Sequence, residues 1–282
     1  MVVCYQISEV KKALRELRRK GKSIGLVPTM GALHKGHIHL LNAARMENDV
    51  VVTTIFVNPI QFNNPEDLEK YPSDMANDLA ILKAQKCDFV FNPSVEEMYP
   101  SKLQTGLDFG SLMKKMEGAH RPGHFNGVGV VVAKLLNIIY PDRAYFGQKD
   151  IQQATIIKQL VSDLSFDPEI VIVPTVREED GLAFSSRNRR LSSSQRKEAP
   201  KLYNALTFAQ KELLKGEKVS QVKKEVEKLI LESSAFRLDY FEIVNSETMV
   251  PVENINHCDQ ISLCIAGFIG EVRLLDNIYL RD

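Results

Sequence analysis

Short apolar runs alternate with segments of helical periodicity through the first part of the chain. The runs that predict buried strands occupy positions 24–27, 50–57, 89–91, 145–146 and 170–173. Helices are predicted between them, among others at 128–139 and 151–160. Alternating strands and helices predict an α/β fold with a doubly wound, Rossmann-like parallel sheet, in which ligands bind at the carboxyl ends of the strands.

Capping residues mark where two further helices should begin. Ser8 is predicted to cap a helix whose apolar face recurs at helical spacing, with Gly21 as its stop. Ser73 is predicted to cap a second helix, which carries Leu79 and Leu82. Both helices are expected to pack an apolar face on the sheet.

The pattern changes after about residue 190. A polar, helix-prone stretch at 192–231 leads into strand-like runs at 240–244, 261–266 and 272–275, which are typical of a small antiparallel sheet. We therefore predict a Rossmann-like domain over 1–175 and a smaller α+β lid domain over 176–282. A boundary in the loop-like segment 175–188 would let the second domain close over a ligand.

Composition excludes several classes of protein. With 36 basic and 36 acidic side chains among 282 residues, the formal net charge is +0, so no global field attracts nucleic acid or an anionic membrane. The four cysteines form no Cys-x-x-Cys pair, which argues against a zinc knot or a disulfide framework. Without an apolar signal core or a membrane-length apolar run, we expect a soluble, cytoplasmic protein that binds neither nucleic acid nor membrane.

The junction at 27–37, Val-Pro-Thr-Met-Gly-Ala-Leu-His-Lys-Gly-His, carries the sharpest local signal. Gly31 and Gly36 allow tight turns or close approach to a ligand, and a helix that begins near Gly36 offers amides and a positive dipole end to phosphate. His34 and His37 can lie on one face at the helix start and donate ring N–H groups to phosphate oxygens. A His-x-Gly-His motif after a strand is typical of nucleotidyl transfer.

Two simpler interpretations of these histidines remain open. With His39 they could bind a metal, although this segment has no Cys or acidic residue to complete a ligand set. They could also only cap the helix. The motif by itself is compatible with a large superfamily of nucleotidyltransferases.

Three further segments follow strands or lie in loops. At 56–62, Asn58 and Gln61 could hydrogen-bond a small polar substrate, although an ordinary Asn-Pro turn is equally compatible. At 147–153, Lys149 could meet a phosphate and Gln153 the substrate. The Ser-Ser-Arg-Asn segment at 185–188 could form a lid over a diphosphate leaving group, or could be no more than a flexible loop.

Taken together, these motifs resemble those of the pantothenate synthetase family. The resemblance runs nearly continuously over 24–188, through the motifs Pro-Thr-Met-Gly-Ala-Leu-His-Lys-Gly-His, Phe-Val-Asn-Pro-Ile-Gln-Phe, Met-Glu-Gly at 116–118, Arg-Pro-Gly-His-Phe at 121–125, Gly-Gln-Lys-Asp and Ser-Ser-Arg-Asn. It is weaker in the C-terminal region, where it rests on the helix-then-sheet pattern and Arg-Leu-Leu-Asp-Asn at 273–277.

The resemblance implies a fold, an activity and site residues. It implies ATP-dependent ligation of pantoate to β-alanine through an acyl-adenylate, with Mg²⁺ accompanying ATP, in a homodimer. His37 is implied as proton donor and His34 as a second phosphate contact, with Lys149, Ser185, Ser186 and Arg187 near the phosphates. The implied ATP site comprises Met30, Gly31, Ala32, Leu33, His34, Lys35, Gly36, His37, Gly147, Gln148, Lys149, Asp150, Val176, Phe184, Ser185, Ser186 and Arg187. The implied site for pantoate and β-alanine comprises Gln61, Gln153, Asn58 and Arg121.

The chain departs from the family pattern at three positions. Asn77 replaces the first of two adjacent acidic residues, so a carboxylate near magnesium rests on Asp78. Gln148 and Ile151 replace the usual Glu and Tyr around the Lys-Asp pair, and we expect little effect because neither supplies phosphate charge.

The residue types suit adenylation, which needs positioning and stabilisation of phosphate charge but no enzyme nucleophile. Two rival functions remain. A cofactor adenylyltransferase would take a phosphate ester as second substrate, which the uncharged Gln61 and Gln153 suit less well than a small hydroxy acid. An RNA-binding module with a nucleotide fold is disfavoured by the zero net charge.

Overall fold

The computed structural model describes residues 1–232 and 235–281 and contains two sheets. The first is parallel throughout, in the order β1-β4-β3-β2-β5-β6. Its strands are β1 Val2–Cys4, β2 Ile24–Thr29, β3 Val50–Ile55, β4 Phe89–Phe91, β5 Arg143–Gly147 and β6 Glu169–Val173. The predicted Rossmann-like architecture is therefore confirmed, with β1 as an additional edge strand that the sequence analysis did not predict.

The strand order places a topological switch point between β2 and β5. From β2 the chain builds outward through β3 and β4, and it then returns to place β5 on the other side of β2. The loops that leave β2 and β5 therefore diverge and open a crevice at the carboxyl end of the sheet. Those loops carry the two predicted phosphate-binding motifs.

Helices cover both faces of this sheet and separate its core into two apolar clusters. They are α1 Ile7–Arg19, α2 Lys35–Glu47, α3 Pro65–Glu69, α4 Met75–Ala84, α5 Val95–Met98, α6 Glu117–His120, α7 His124–Ile139 and α8 Ile151–Asp163. Every residue of β3 is buried, which explains its uninterrupted β-branched sequence. Helix α7 is buried along most of its length, and Gly127 brings it close to the backbone of Ile60 because a Cβ there would lie 2.4 Å from that carbonyl oxygen.

Three predicted helix starts are wrong by a few residues. Helix α1 begins at Ile7, so Ser8 lies inside its first turn; the Glu9 carboxylate accepts the Gln6 amide instead. The cap of α4 is Asp74, which accepts the Asn77 amide, and not Ser73. Helix α7 starts four residues before the predicted Val128, after Gly123 in a left-handed conformation with φ of 80°.

The second sheet is antiparallel and follows three further helices, α9 Ser193–Glu198, α10 Lys201–Leu214 and α11 Val219–Leu231. Its strands β7 Phe236–Asn245, β8 Ile261–Ile269 and β9 Val272–Tyr279 lie in chain order. Helices α10 and α11 pack on this sheet and enclose an apolar core of its own. The predicted smaller α+β domain is therefore confirmed, although each strand is longer than predicted.

Candidate active site

A cavity of about 260 Å³ lies at the switch point, between the loops after β2 and β5 and strand β9. Most residues predicted to bind ATP or substrate line it: Met30, His34, Gly36, His37, Asn58, Gln61, Arg121, Gly147, Lys149, Asp150, Gln153, Val176, Phe184, Ser185, Ser186 and Arg187. Residues separated by more than 150 positions are thus brought to one site. The predicted residues outside the lining are Gly31, Ala32, Leu33, Lys35, Asp78 and Gln148.

The loop after β2 is held by a buried carboxylate. Gly31 and Ala32 both have left-handed backbones, with φ of 81° and 51°. The Asp78 carboxylate accepts the amides of Ala32 and Leu33 at 2.8 and 2.7 Å, and only 1% of Asp78 is exposed. These two amides are therefore occupied within the protein. Since both oxygens of Asp78 are engaged, this geometry does not support the predicted magnesium role.

The two histidines at the start of α2 are fixed in one tautomer by their own backbone contacts. Nδ1 of His34 accepts the Gly36 amide at 3.1 Å, and Nδ1 of His37 accepts the His34 amide at 3.3 Å. A ring nitrogen that accepts an amide carries no proton, so in the neutral rings the proton lies on Nε2. Both side chains line the cavity, where each offers an N–H donor.

Both histidines are neutral at physiological pH. Burial lowers the pKa of His34 to about 2, with further lowering by His37 and Lys149. Burial likewise lowers the pKa of His37 to about 4, against the opposing effect of Asp150. The ring centroids are 4.1 Å apart, close enough for both rings to meet one phosphate group. The pair is thus suited to hydrogen-bond donation without a positive charge of its own.

The loop after β5 forms a short 3₁₀ turn at Gln148–Asp150 that carries Lys149. The Lys149 ammonium lies 3.4 Å from an Asp150 carboxylate oxygen, and its side chain is largely buried. The carbonyl groups of Gln148 and Lys149 accept hydrogen bonds from the Asn277 side-chain amide of β9, at 2.9 and 2.7 Å. This loop is therefore held by the C-terminal sheet.

Gln61 is oriented by a relay of buried polar groups. The Asn58 side-chain amide donates to Gln61 Oε1 at 3.0 Å and to the Gly127 carbonyl at 3.1 Å, while Tyr99 donates its hydroxyl to Asn58 Oδ1 at 2.8 Å. Both amide hydrogens of Asn58 are thus used within the protein, and only 1% of the residue is exposed. Asn58 is placed to orient Gln61 more than to bind substrate itself. The Gln61 amide nitrogen contacts only Met30 Sδ, at 3.1 Å, among the described residues.

The neutral side chain of His124 connects Arg121 to the backbone at Gln61. His124 Nδ1 donates to the Gln61 carbonyl at 2.8 Å, which leaves Nε2 to accept from Arg121 at 3.1 Å. Burial, reinforced by Arg121, lowers the pKa of His124 to about 4. His124 belongs to the Arg-Pro-Gly-His-Phe motif at 121–125, but no role was predicted for it. Its spacing of three from Arg121 at a helix start was the available signal.

The 185–187 segment contacts the loop after β2 and the α3 region. Ser186 donates its hydroxyl to the Ala32 carbonyl at 3.2 Å. Arg187 and Arg190 both pair with Asp67, at 2.9 and 3.1 Å. Although burial opposes it, Arg187 and Arg190 hold the pKa of Asp67 below its usual value. This pair uses one guanidinium nitrogen of Arg187, so its other N–H groups are the ones left for a phosphate.

A buried ion-pair network at the junction of the two sheets was not predicted. Arg273 of β9 donates to both oxygens of Glu117 at 2.7 Å, and Tyr240 donates to Glu117 at 2.9 Å. Arg273 lowers the pKa of Glu117 against the effect of burial. Both residues belong to quoted motifs, but no local sequence rule pairs positions 156 residues apart.

The described residues contain neither a metal-binding cluster nor a membrane-spanning helix. Residues 1–232 and 235–281 contain no group of three or more His, Cys, Asp or Glu arranged to hold a metal ion, so the histidine pair has no completed ligand set. The same ranges contain no helix long and apolar enough to cross a membrane.

Comparison with known proteins places this site in a family context. The model of the pantoate-β-alanine ligase family matches residues 2–279. The pantothenate synthetase of Caldicellulosiruptor bescii is 47% identical over 282 residues, covering 100% of this chain and 99% of its own. That of Thermosipho africanus is 48% identical over 280 residues, covering 99% and 100%.

Solved structures agree with the sequence comparison. The crystal structure of pantothenate synthetase from Thermus thermophilus matches with a TM-score of 0.94 at 43% identity and covers 100% of both chains. A pantoate-β-alanine ligase from Francisella tularensis, complexed with β,γ ATP and β-alanine, matches with a TM-score of 0.82 at 36% identity. The match covers 100% of this chain and 98% of that chain.

Proposed function

This chain belongs to the pantoate-β-alanine ligase family, and we propose that it condenses pantoate with β-alanine in an ATP-dependent reaction through a pantoyl adenylate. The observation that carries the proposal is the convergence of His34, His37 and Lys149 on a cavity that also contains Gln61. Donors for phosphate and an amide for a small polar acid therefore share one site.

The reaction has two steps. A carboxylate oxygen of pantoate attacks the α-phosphorus of ATP, the bond from that phosphorus to the β-phosphate oxygen breaks, and diphosphate leaves. The amine of β-alanine then attacks the acyl carbon, AMP leaves with the former carboxylate oxygen, and the nitrogen loses a proton. No covalent bond to the enzyme forms, so catalysis depends on positioning and on stabilisation of phosphate charge.

The histidines are assigned as hydrogen-bond donors to phosphate. Both rings line the cavity and are neutral with the proton on Nε2, which supports donation of a hydrogen bond during attack at phosphorus. Lys149 supplies the positive charge that the neutral rings lack. We therefore assign His37 to stabilise the transition state by donating a hydrogen bond from its ring N–H group. A full proton transfer is not required.

Gln61 is assigned to pantoate, and Arg121 to a substrate carboxylate. Because Asn58 occupies Oε1 of Gln61, the amide nitrogen is the group left to donate to a substrate oxygen. Arg121 lines the cavity, contacts His124 at 3.1 Å and lies 3.9 Å from a Glu117 carboxylate oxygen, so its remaining guanidinium N–H groups are the ones assigned to a substrate carboxylate. Gln153 lines the same space and is assigned to pantoate with Gln61.

Magnesium is assigned to the ATP complex, not to a dedicated protein site. Mg²⁺ in such complexes takes most of its ligands from phosphates and water, with one or two carboxylates from the protein. Asp150 is the lining carboxylate beside Lys149, whereas Glu117 and Asp276 in the same lining are paired with arginines. Asp150 therefore fits as a protein carboxylate near the metal.

Several broader properties belong to the same proposal. We place the domain boundary between 175 and 176, with 176–282 acting as a lid. The 182–188 segment would then bring Ser185, Ser186 and Arg187 onto the phosphates as the lid closes. A homodimer in the cytoplasm is proposed on the family resemblance alone.

Exchange of labelled diphosphate into ATP tests this function against its rivals. The proposal predicts exchange that requires pantoate and proceeds without β-alanine, because the first step is reversible. Exchange supported by a phosphate ester in place of pantoate would identify a cofactor adenylyltransferase. If neither pantoate nor a phosphate ester supports exchange and the protein binds RNA, the result would favour an RNA-binding module without catalytic activity.

A further inference from the structure

Asn277 lies in the C-terminal sheet but contacts the phosphate-facing loop of the first sheet. Its side-chain amide donates to the Gln148 carbonyl at 2.9 Å and to the Lys149 carbonyl at 2.7 Å. Only 1% of the residue is exposed. One buried amide therefore satisfies two consecutive peptide carbonyls in the turn that carries Lys149.

The orientation of this amide is determined by the loop. A flipped amide would place Oδ1 against the two carbonyl oxygens and lose both hydrogen bonds. In the observed orientation Oδ1 is buried and has no hydrogen-bond partner within residues 1–232 and 235–281. Burying an unpaired acceptor is costly. The two bonds to the Lys149 loop offset this cost and give a physical reason for an amide at this position.

The neighbouring residue holds the other side of the proposed phosphate site. Asp276 accepts two hydrogen bonds from Arg177, at 2.6 and 3.0 Å. Arg177 also donates to the Asn277 carbonyl and to the Gly181 carbonyl, each at 3.1 Å. The segment that leads to Ser185 and Arg187 is therefore attached to β9 one residue away from the Lys149 loop.

We propose that Asn277 is a positioning residue for Lys149, through which the C-terminal sheet sets the Lys149 loop relative to the 185–187 segment. This inference rests on the proposed adenylation, because Lys149 is the group that it positions. Asn277 lines the same cavity, but both hydrogens of its amide are used by the loop carbonyls, so the role inferred for it acts through the backbone of the loop. Loss of its amide should therefore affect the step that uses Lys149 and leave pantoate binding largely unchanged.

A double-mutant cycle tests this coupling in the full-length chain. Asn277→Ala removes both hydrogen bonds and should slow single-turnover adenylate formation about tenfold, with the KM for pantoate within about twofold of wild type. In a Lys149→Ala background the same change should cost less than about threefold, since the ammonium that it positions is already absent.

Asn245→Ala provides the matched control. Asn245 is also a C-terminal asparagine, and its side-chain oxygen accepts the Glu247 and Thr248 amides at 2.9 and 2.8 Å in a turn outside the cavity lining. Its loss should lower the midpoint of urea unfolding without slowing adenylate formation. If Asn277→Ala does not fold, Asn277→Ser enters the same cycle, because its hydroxyl can retain one donor and the expected loss is smaller.

The outcomes separate the inference from the function on which it rests. Absence of pantoate-dependent diphosphate exchange in wild type would overturn the proposed function. With exchange present, a tenfold loss in both the wild-type and Lys149→Ala backgrounds would overturn the positioning role. So would an equal loss of rate in Asn245→Ala at the same loss of stability. Non-additive losses confined to the rate of adenylate formation would support it.

Discussion

The loops after β2 and β5 face the same cavity but are held in opposite ways. The loop after β2 presents amides inward to a carboxylate, Asp78, from its own domain. The loop after β5 presents carbonyls to an amide, Asn277, from the C-terminal sheet. One support remains in place if the two domains move apart, whereas the other depends on their contact.

The two loops therefore differ in how strongly their positions depend on the C-terminal sheet. The histidines begin a helix whose start is held by Asp78 of the first domain. Ser186 and Arg189, beyond residue 175, add hydrogen bonds to carbonyls of the same loop. The loop that carries Lys149 is held by Asn277 of β9, so the position of its ammonium group is tied to the C-terminal sheet. If the second domain closes over the cavity as proposed, the Lys149 loop should therefore respond to closure more than the start of α2 does.

Removal of the side chains proposed to contact phosphate should give the largest effect. His37→Ala removes a proposed phosphate donor at the start of α2, Lys149→Ala removes one from the loop after β5, and each should slow adenylate formation about a hundredfold or more. Single-turnover formation of the adenylate measures the loss, and circular dichroism checks folding. A folded variant that stays within a few-fold of wild type would remove that residue from the assigned chemistry.

Loss of the Asp78 carboxylate that holds the loop after β2 should give the next largest effect. Asp78→Asn replaces one carboxylate acceptor by an NH₂ group facing a backbone amide, which should cost about 1–3 kcal/mol of stability. It should also slow adenylate formation, because the loop that starts α2 shifts. Urea unfolding and single-turnover rates measure the two effects, and Asp74→Asn in the same helix is the control because Asn caps equally well.

Magnesium dependence separates the two roles considered for Asp78. If the carboxylate only supports the loop, raising the magnesium concentration should not restore the rate of Asp78→Asn. Restoration to the wild-type rate would return Asp78 to the metal site that the family resemblance implies.

The pantoate side should respond more selectively. Gln61→Ala should lower kcat/KM for pantoate by more than it weakens ATP binding, because a site built to hydrogen-bond a substrate loses its partner. Tyr99→Phe should give a smaller loss in the same direction, since it removes only the hydroxyl that orients Asn58. Steady-state kinetics with each substrate varied will measure both. Equal weakening of pantoate and ATP would indicate a general folding defect instead.

The smallest expected effect concerns pH. Folding lowers the pKa of His34 to about 2 and that of His37 to about 4, from the ordinary value of 6.5. Below pH 6.5 the unfolded chain therefore binds more protons, and the free energy of unfolding should fall as the pH drops toward 4. Urea unfolding of wild type and of the His34→Gln/His37→Gln variant will test this. The double variant should show a weaker dependence, whereas His257→Gln, at the surface, should match wild type.

Local chemistry made much of this site predictable. A strand followed by Gly31 and a helix start with two histidines predicts donors to phosphate without any knowledge of the rest of the fold. The supports were not predictable in the same way, because Asp78 and Asn277 act on backbone groups 45 to 129 residues away. Asn58 shows the same limit: its type and position predicted a substrate ligand, whereas its hydrogen bonds with Gln61, Gly127 and Tyr99 could not be predicted from the sequence.

The path of one oxygen atom shows whether the pantoate carboxylate attacks the α-phosphorus of ATP. Pantoate labelled with ¹⁸O in its carboxylate is converted in a single turnover with ATP and β-alanine, and the products are analysed by mass spectrometry. Attack of the carboxylate on the α-phosphorus predicts one ¹⁸O in AMP and none in diphosphate. Label in inorganic phosphate with formation of ADP, or AMP without label, would contradict adenylation at this site.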